Sequence, residues 1–196
     1  MKERIFSKLM MGMLFAASIF TLTACGDDDE PKVEDKYTTE YTFSVEFSAD
    51  LLKTADVKAY ILSPEGTVTE ENVAKAKSTW SVKGNSIPDK AGVRFDFDPK
   101  SGNFSGDYQL CYKVTTSVSC LNNGSVLSTK SDSSDETYTV SAENLSGFYG
   151  TSLIIGGQVN AKGEATVTDG SNLDFGLNSL DMRPPFGGHG PTGDLH

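Results

Sequence analysis

The chain has 196 residues, and 17 Lys and Arg against 27 Asp and Glu give it a net charge of −10 at pH 7. Such an acidic surface disfavours binding to nucleic acid and flat adsorption onto anionic lipid, because both are themselves negatively charged. The length suits one folded domain of ordinary size with its own hydrophobic core.

The amino terminus has the pattern of a secretory signal. Lys2, Arg4 and Lys8 are followed by an apolar run over residues 9–22, which is interrupted only by small or hydroxyl side chains. This run is too short and wrongly flanked for a stable membrane span. Residues 1–24 are therefore predicted to be a signal peptide.

The end of this signal carries a processing motif. Leu22, Thr23, Ala24 and Cys25 resemble the lipobox of bacterial lipoproteins. The resemblance implies that Cys25 becomes the first residue after cleavage and carries a diacylglyceryl group. Acyl chains contribute about 0.8 kcal/mol per buried methylene, enough to hold a protein on a membrane without a spanning helix.

An acidic run follows the cysteine at once. Gly26 precedes Asp27, Asp28, Asp29 and Glu30, and this run is similar to the export signal of surface-exposed lipoproteins of the Bacteroidota. The similarity implies an outer-membrane location facing the cell exterior. The alternative is that residues 25–36 act only as an acidic, solvated spacer.

The body of the chain alternates apolar and polar residues, the period of half-buried antiparallel strands. Asn123 and Gly124 form a strong hairpin signal. One helix is predicted over residues 69–78, and residues 128–136 are predicted to form a polar loop. The predicted strands cover residues 37–47, 56–62, 78–83, 93–98, 108–120, 137–142, 151–159, 164–168 and 172–180.

Nine or ten strands and one short helix predict an all-β domain over residues 37–182, packed as an antiparallel β-sandwich. The piece SGDYQLCYKV, with Gly106, Asp107 and Tyr108 opening a long strand, resembles the tyrosine-corner strand of immunoglobulin-like domains and implies an Ig-like sandwich. A lipocalin-like β-barrel is the alternative. Residues 183–196, rich in Gly and Pro, are predicted to be a disordered tail.

Two cysteines remain after Cys25. In an oxidising compartment Cys111 and Cys120 would ordinarily form a disulfide. Both lie in one predicted strand, however, where nine residues separate them by about 30 Å. A disulfide requires a turn at Thr115 and Thr116, a poor hairpin sequence, so two unpaired thiols are expected.

The sequence offers little for catalysis. The only histidines, His189 and His196, lie in the predicted tail, so the body can form neither a Ser-His-Asp nor a Cys-His device, nor a histidine zinc site. Asp96 and Asp98 have roughly the spacing of a glycosidase carboxylate pair, but they also read as outward positions beside Phe95 and Phe97. We expect a protein that is not an enzyme.

No cofactor is predicted, although two acidic loops could offer oxygen ligands to Ca²⁺. Neither fits the twelve-residue EF-hand pattern, and both also read as solvated turns. The two groups are Asp132, Asp135 and Glu136, and Asp169, Asn172 and Asp174.

Aromatic side chains are the remaining candidates for binding. A ring can stack on the apolar face of a sugar while carboxylates or amides accept its hydroxyl protons. Trp80, Phe148 and Tyr149 are the predicted contacts. We expect a non-catalytic surface lipoprotein that binds an extracellular polymer, foremost a glycan, or assists an uptake system. The alternative is a structural or adhesive lipoprotein, associated with fimbriae or in contact with a host.

Overall fold

A computed structural model describes residues 34–150 and 152–177. Short helical segments adjoin two of its loops: α1 (Ala49–Thr54), a 3-10 turn (Ala142–Asn144) and α2 (Leu145–Phe148). The strands in chain order are β1 (Tyr37–Phe47), β2 (Ala55–Leu62), β3 (Val68–Asn72), β4 (Lys77–Gly84), β5 (Asp89–Pro99), β6 (Asp107–Asn122), β7 (Ser125–Ser141), β8 (Ser152–Val159) and β9 (Ala165–Thr168).

The strands form two antiparallel sheets that share one core. The four-stranded sheet has the order β4-β1-β6-β7, and the five-stranded sheet has the order β3-β2-β5-β8-β9. Side chains from both sheets belong to a single buried apolar cluster. The predicted antiparallel β-sandwich is confirmed, and the residues described here form no closed barrel.

Strand β1 lies at the centre of the four-stranded sheet because its sequence alternates so regularly. Tyr41, Phe43, Val45 and Phe47 all face inward and are almost completely buried. The polar residues between them face outward, as the period of two requires. The strand occupies residues 37–47 as predicted.

The β6–β7 hairpin forms at the predicted turn. Asn123 and Gly124 have φ values of 51° and 80°, a conformation that Asn and Gly tolerate better than other residues. Their twist suits the right-handed twist of the two flanking strands. The turn thereby fixes the register of the longest pair of strands in the sandwich.

The predicted helix over residues 69–78 is wrong. Its first part forms β3, and its last two residues begin β4. Glu70 lies opposite Tyr60 of β2 and forms an ion pair with Lys58 at 3.3 Å. The segment has no apolar stripe that could hold a helix on the core, so pairing along the edge of β2 prevails. The actual helix α1 is capped by the Ser48 hydroxyl, which accepts from the Leu51 N–H at 3.2 Å.

The predicted loop over residues 128–136 is also wrong, because β7 runs unbroken through it and includes the strand predicted over residues 137–142. Cross-strand pairing with β6 compensates for the lack of apolar residues. Residues 172–177 do not form the final strand predicted over residues 172–180.

The cysteines agree with expectation. Cys111 and Cys120 lie on opposite faces of the continuous strand β6, and both are free thiols. Cys120 is fully buried, and burial raises the pKa of its thiol. It therefore behaves as a small apolar core residue.

Several sequence predictions fall on residues outside the described ranges. These are the signal peptide, Cys25, the acidic run, residues 178–182 of the domain and the tail over residues 183–196. Among the described helices, none has the length and apolar character needed to cross a membrane.

Candidate functional site

The outward face of the five-stranded sheet carries two rows of polar side chains. Strand pairing sets Lys58, Asp96 and Ser152 side by side in one row. Tyr60 and Arg94 lie in the next row, beside Ile154 of β8. Each row crosses β2, β5 and β8, so the sheet itself fixes the spacing.

One carboxylate in these rows is firmly held. Arg94 donates from Nε to Oδ1 of Asp96 at 2.7 Å and from Nη2 to Oδ2 at 3.1 Å. The Ser152 hydroxyl donates to Oδ1 at 2.6 Å. Arg94 is 4% exposed, and a bidentate contact fixes the carboxylate in orientation as well as in position.

A polypeptide segment covers part of this face and buries the arginine. We call residues 170–177 the strap. Leu173 of the strap lies directly on two facing glycines, since a Cβ on Gly92 would be 2.2 Å from its Cδ1 atom and one on Gly156 would be 2.6 Å away. Lys90 donates to the Asn172 carbonyl at 2.7 Å and ties the strap to β5. Only residues with no side chain permit so close an approach.

The uncovered part of the face forms an open recess of about 430 Å³. Tyr60, Lys58, Asp96 and Asp98 supply its polar groups, while Tyr149 lies in its wall. Burial raises the pKa of Tyr60, so its hydroxyl remains protonated at neutral pH. A hydrogen bond from Lys58 to Glu70 raises the pKa of that lysine and keeps it cationic. The recess thus offers an aromatic ring, fixed acceptors and one cation.

Trp80 lies away from the recess. Its ring centroid is 5.6 Å from that of Phe95, and its indole N–H donates to Glu71 at 2.8 Å. The side chain therefore links the edge strands of the two sheets, β4 and β3. Half-buried in this position, it packs against the core on one side.

Phe148 and Tyr149 lie at right angles to each other, with ring centroids 5.3 Å apart. Tyr149 is buried against Phe97, and its hydroxyl bonds to that of Thr54. Phe148 is half-buried and lies 5.9 Å from the ring of Tyr138. Of the three predicted aromatic contacts, Tyr149 alone is in the wall of the recess.

The acidic loops use their carboxylates in turns. Asp169 Oδ1 accepts from the Ser171 N–H at 3.0 Å, and this bond lowers the pKa of Asp169. Asp174 Oδ1 accepts from the Gly176 N–H at 2.8 Å. Within residues 34–150 and 152–177, no three His, Cys, Asp or Glu side chains are placed to share a metal ion.

A second held carboxylate lies between the sheets, away from the recess. Asp89 accepts from the hydroxyls of Thr39 and Tyr41, each at 2.5 Å. Burial raises the pKa of Asp89 and also that of Tyr41. Because both donors belong to β1, the carboxylate fastens one sheet to the other and is not open to a ligand.

The sequence analysis missed Tyr60, Arg94 and Ser152. Arg94 is the only arginine between Cys25 and Arg183, and it stands in an alternating strand where Asp96 and Asp98 share its face. That row was a usable signal for a polar site. The burial of Arg94 was not readable, because it depends on the strap, about 80 residues further along the chain.

No protein-family model matches this chain, and a search of curated proteins also returns no match. The functional argument therefore rests on the chemistry of the recess and on the sequence of the amino terminus.

Proposed function

We propose that the protein is a non-catalytic lipoprotein, anchored to the outer membrane through Cys25 and facing the exterior, that binds a neutral glycan in the recess. One observation carries the binding proposal. The Asp96 carboxylate is fixed by Arg94 and Ser152 beside the ring of Tyr60, at the edge of an open concave surface. Fixed acceptors next to an aromatic ring suit a polyhydroxylated ligand.

The size and shape of the recess fit a short stretch of sugar. Its volume of about 430 Å³ lies within the roughly 300–1,000 Å³ of small-ligand pockets. The ring of Tyr60 offers an apolar surface to the C–H groups of a pyranose. Asp96 and Asp98 accept hydrogen bonds from sugar hydroxyls, and Lys58 donates to them.

Charge favours a neutral ligand over an anionic one. Arg94 compensates Asp96, and Lys58 stands near Asp98 within the same recess. The precursor has a charge of −10; its signal contributes Lys2, Arg4 and Lys8 against Glu3, a sum of +2, so the chain without it has −12. A polyanion would approach against this field.

The proposed location rests on the amino-terminal sequence. The motif over residues 22–25 supplies the lipid attachment, and the acids over residues 27–30 supply the export signal. A glycan-binding role suits that address, because a protein facing the exterior meets extracellular polysaccharide directly.

A binding screen tests the site. Soluble protein of residues 26–196 is applied to an array of neutral and anionic glycans, and hits are measured by calorimetry. We expect a neutral glycan to bind and the Tyr60→Ala variant to lose about tenfold in affinity, equivalent to about 1.4 kcal/mol, because the stacking surface is removed. Asp98→Asn should weaken binding without affecting the fold, since Asp98 is exposed.

Two control variants locate the site. Trp80→Phe and Phe148→Ala change aromatic residues that do not line the recess, so both should retain affinity. Loss of binding in these variants with an unaffected Tyr60→Ala would move the site to the other aromatics. A folded protein that binds no glycan on the array would contradict the proposal and favour the structural or adhesive alternative.

Lipid attachment has its own test. Cys25→Ala should abolish incorporation of labelled palmitate in growing cells, because no other residue of the motif offers a thiolate for the diacylglyceryl transfer. Cys111→Ala is the matched control and should label normally, since Cys111 lies in β6 of the folded domain. Undiminished labelling of the Cys25→Ala protein would contradict anchoring at this residue.

A further inference from the structure

Half of one edge of β8 has no strand beside it. Strand β5 pairs with β8 over the range Ser152–Val159, whereas β9 pairs only with its second half, from Gly156 to Val159. In the part of the chain that the structure describes, no strand lies on the outer edge of residues 152–155. Alternate N–H and C=O groups of a strand point to each edge, so this half of β8 is open to pairing.

The chain leaves this edge at a defined point. Continuing β9 beyond Thr168 would carry it along residues 152–155, but the chain turns away at Asp169 and Gly170. Gly170 has a φ of +73°, and the Asp169 carboxylate holds the turn by accepting from the Ser171 N–H. The strap then crosses the outward face of Ile154, as a Cβ on Gly170 would lie 2.3 Å from its Cγ2 atom.

A groove of about 300 Å³ lies at the open edge, between the two sheets. Val114 and Leu153 are among its apolar lining residues, and Asp132 and Ser134 of β7 lie at its polar rim. Both of these β7 residues are exposed although they pair with inward-facing positions of β6. Strand β7 therefore overhangs a gap that the five-stranded sheet leaves unfilled.

We propose that residues 179–183 of the same chain occupy this groove as a short strand added to the open edge of β8. The described chain reaches Leu177, which lines a second recess together with Ile154, a residue that also lines the groove. Three further residues span about 10 Å in extended conformation. The segment thus begins next to the edge that it completes.

The segment has the sequence of an added strand. Leu180 and Met182 share one face, and Asp181 and Arg183 share the other, which matches a groove with an apolar floor and a solvated outer side. Pro184 has no N–H to donate and ends the pairing. The length of the segment suits the four unpaired residues of β8.

Charge supports the same occupant. The rim of the groove carries Asp132 and Asp169, and Arg183 is the only Lys or Arg after Lys162. Opposite charges at the rim favour this segment over the acidic surface of a second copy. The inference concerns how the domain completes its own sheet and is independent of glycan binding.

Hydrogen exchange of the full mature chain in detergent micelles tests the proposal. In the wild type, edge amides of residues 152–155 should exchange slowly. In the double variant Leu180→Asp and Met182→Asp they should exchange at least about tenfold faster, because an undocked segment leaves them in water. Phe186→Asp, beyond Pro184, is the matched control and should leave exchange unchanged. Amides of β1 report whether each variant remains folded.

A second experiment distinguishes other occupants. Chain ending at residue 177 should show the same fast exchange, and a peptide of residues 178–185 added in trans should restore protection. Fast exchange in the wild type, or equal protection in the wild type and the double variant, overturns the proposal. Protection that disappears on dilution also overturns it, because the occupant would then be a second copy of the chain.

Discussion

Replacing Arg94 by alanine should lower the free energy of unfolding by about 3 kcal/mol, the scale for removing one partner of a buried ion pair. The arginine is almost completely buried and makes two hydrogen bonds to Asp96. Without it, the carboxylate keeps the Ser152 hydroxyl as its donor but loses the compensating charge. Urea unfolding followed by the fluorescence of Trp80, the only tryptophan, measures the change.

An exposed ion pair provides the control. Lys83 bonds to Glu40 at 2.5 Å, a distance shorter than either Arg94 contact, but 67% of its side chain is exposed. Lys83→Ala should therefore cost less than about 1 kcal/mol. An equal loss in both variants would contradict the role that burial has in this prediction.

A paired substitution separates charge from packing. The double variant Arg94→Met and Asp96→Asn removes both charges while retaining similar volume, so it should be more stable than Arg94→Met alone. It should still bind a glycan poorly, because the oriented carboxylate is lost. A double variant no more stable than the single one would mean that the arginine acts by filling space.

The fold was predictable where local pattern and tertiary environment agree. Strand β1 has a regular alternation and a fully buried inner face, so its bounds follow from the sequence alone. The Asn123–Gly124 turn was equally predictable, because its backbone conformation favours those two residue types. These elements need no knowledge of their partners.

The errors fall on edge strands. β3 has four exposed residues out of five, and β7 is exposed along nearly its whole length. Neither needs an apolar face, because backbone pairing with a well-anchored neighbour holds it in place. Polar edge strands of this kind also oppose aggregation. A reading based on hydrophobic period therefore takes them for a helix or a loop.

The candidate site was only partly predictable. Aromatic residues drew attention to Trp80 and the pair at residues 148 and 149, but the structure packs these rings largely onto the core. Tyr60 was treated as one member of an alternating strand. Its position beside Arg94 depends on the register between β2 and β5, and strand registry is not encoded in either strand alone.

Strand β5 connects the core to the recess, since successive side chains face opposite sheet surfaces. Arg94 points outward beneath the strap, whereas Phe95 points inward and is 0% exposed. Substitutions at these neighbours should consequently separate the contribution of the site from that of the core.

Phe95→Ala should lower the free energy of unfolding by about 4 kcal/mol, because it removes a large side chain and leaves a cavity that the sheets cannot close. The Phe95 ring lies edge-on to Phe47 of the opposite sheet, with centroids 5.5 Å apart, and also contacts Trp80. Urea unfolding monitored by circular dichroism avoids any change in Trp80 fluorescence.

Val126→Ala is the control for this substitution, since Val126 is 65% exposed and its truncation should change stability by less than about 0.5 kcal/mol. At temperatures where Phe95→Ala remains folded, it should bind glycan with wild-type affinity, because the outward row of β5 is unchanged. Arg94→Ala should lose affinity under the same conditions. If Phe95→Ala lost affinity while fully folded, the recess would depend on core packing more than on the Arg94–Asp96–Ser152 network.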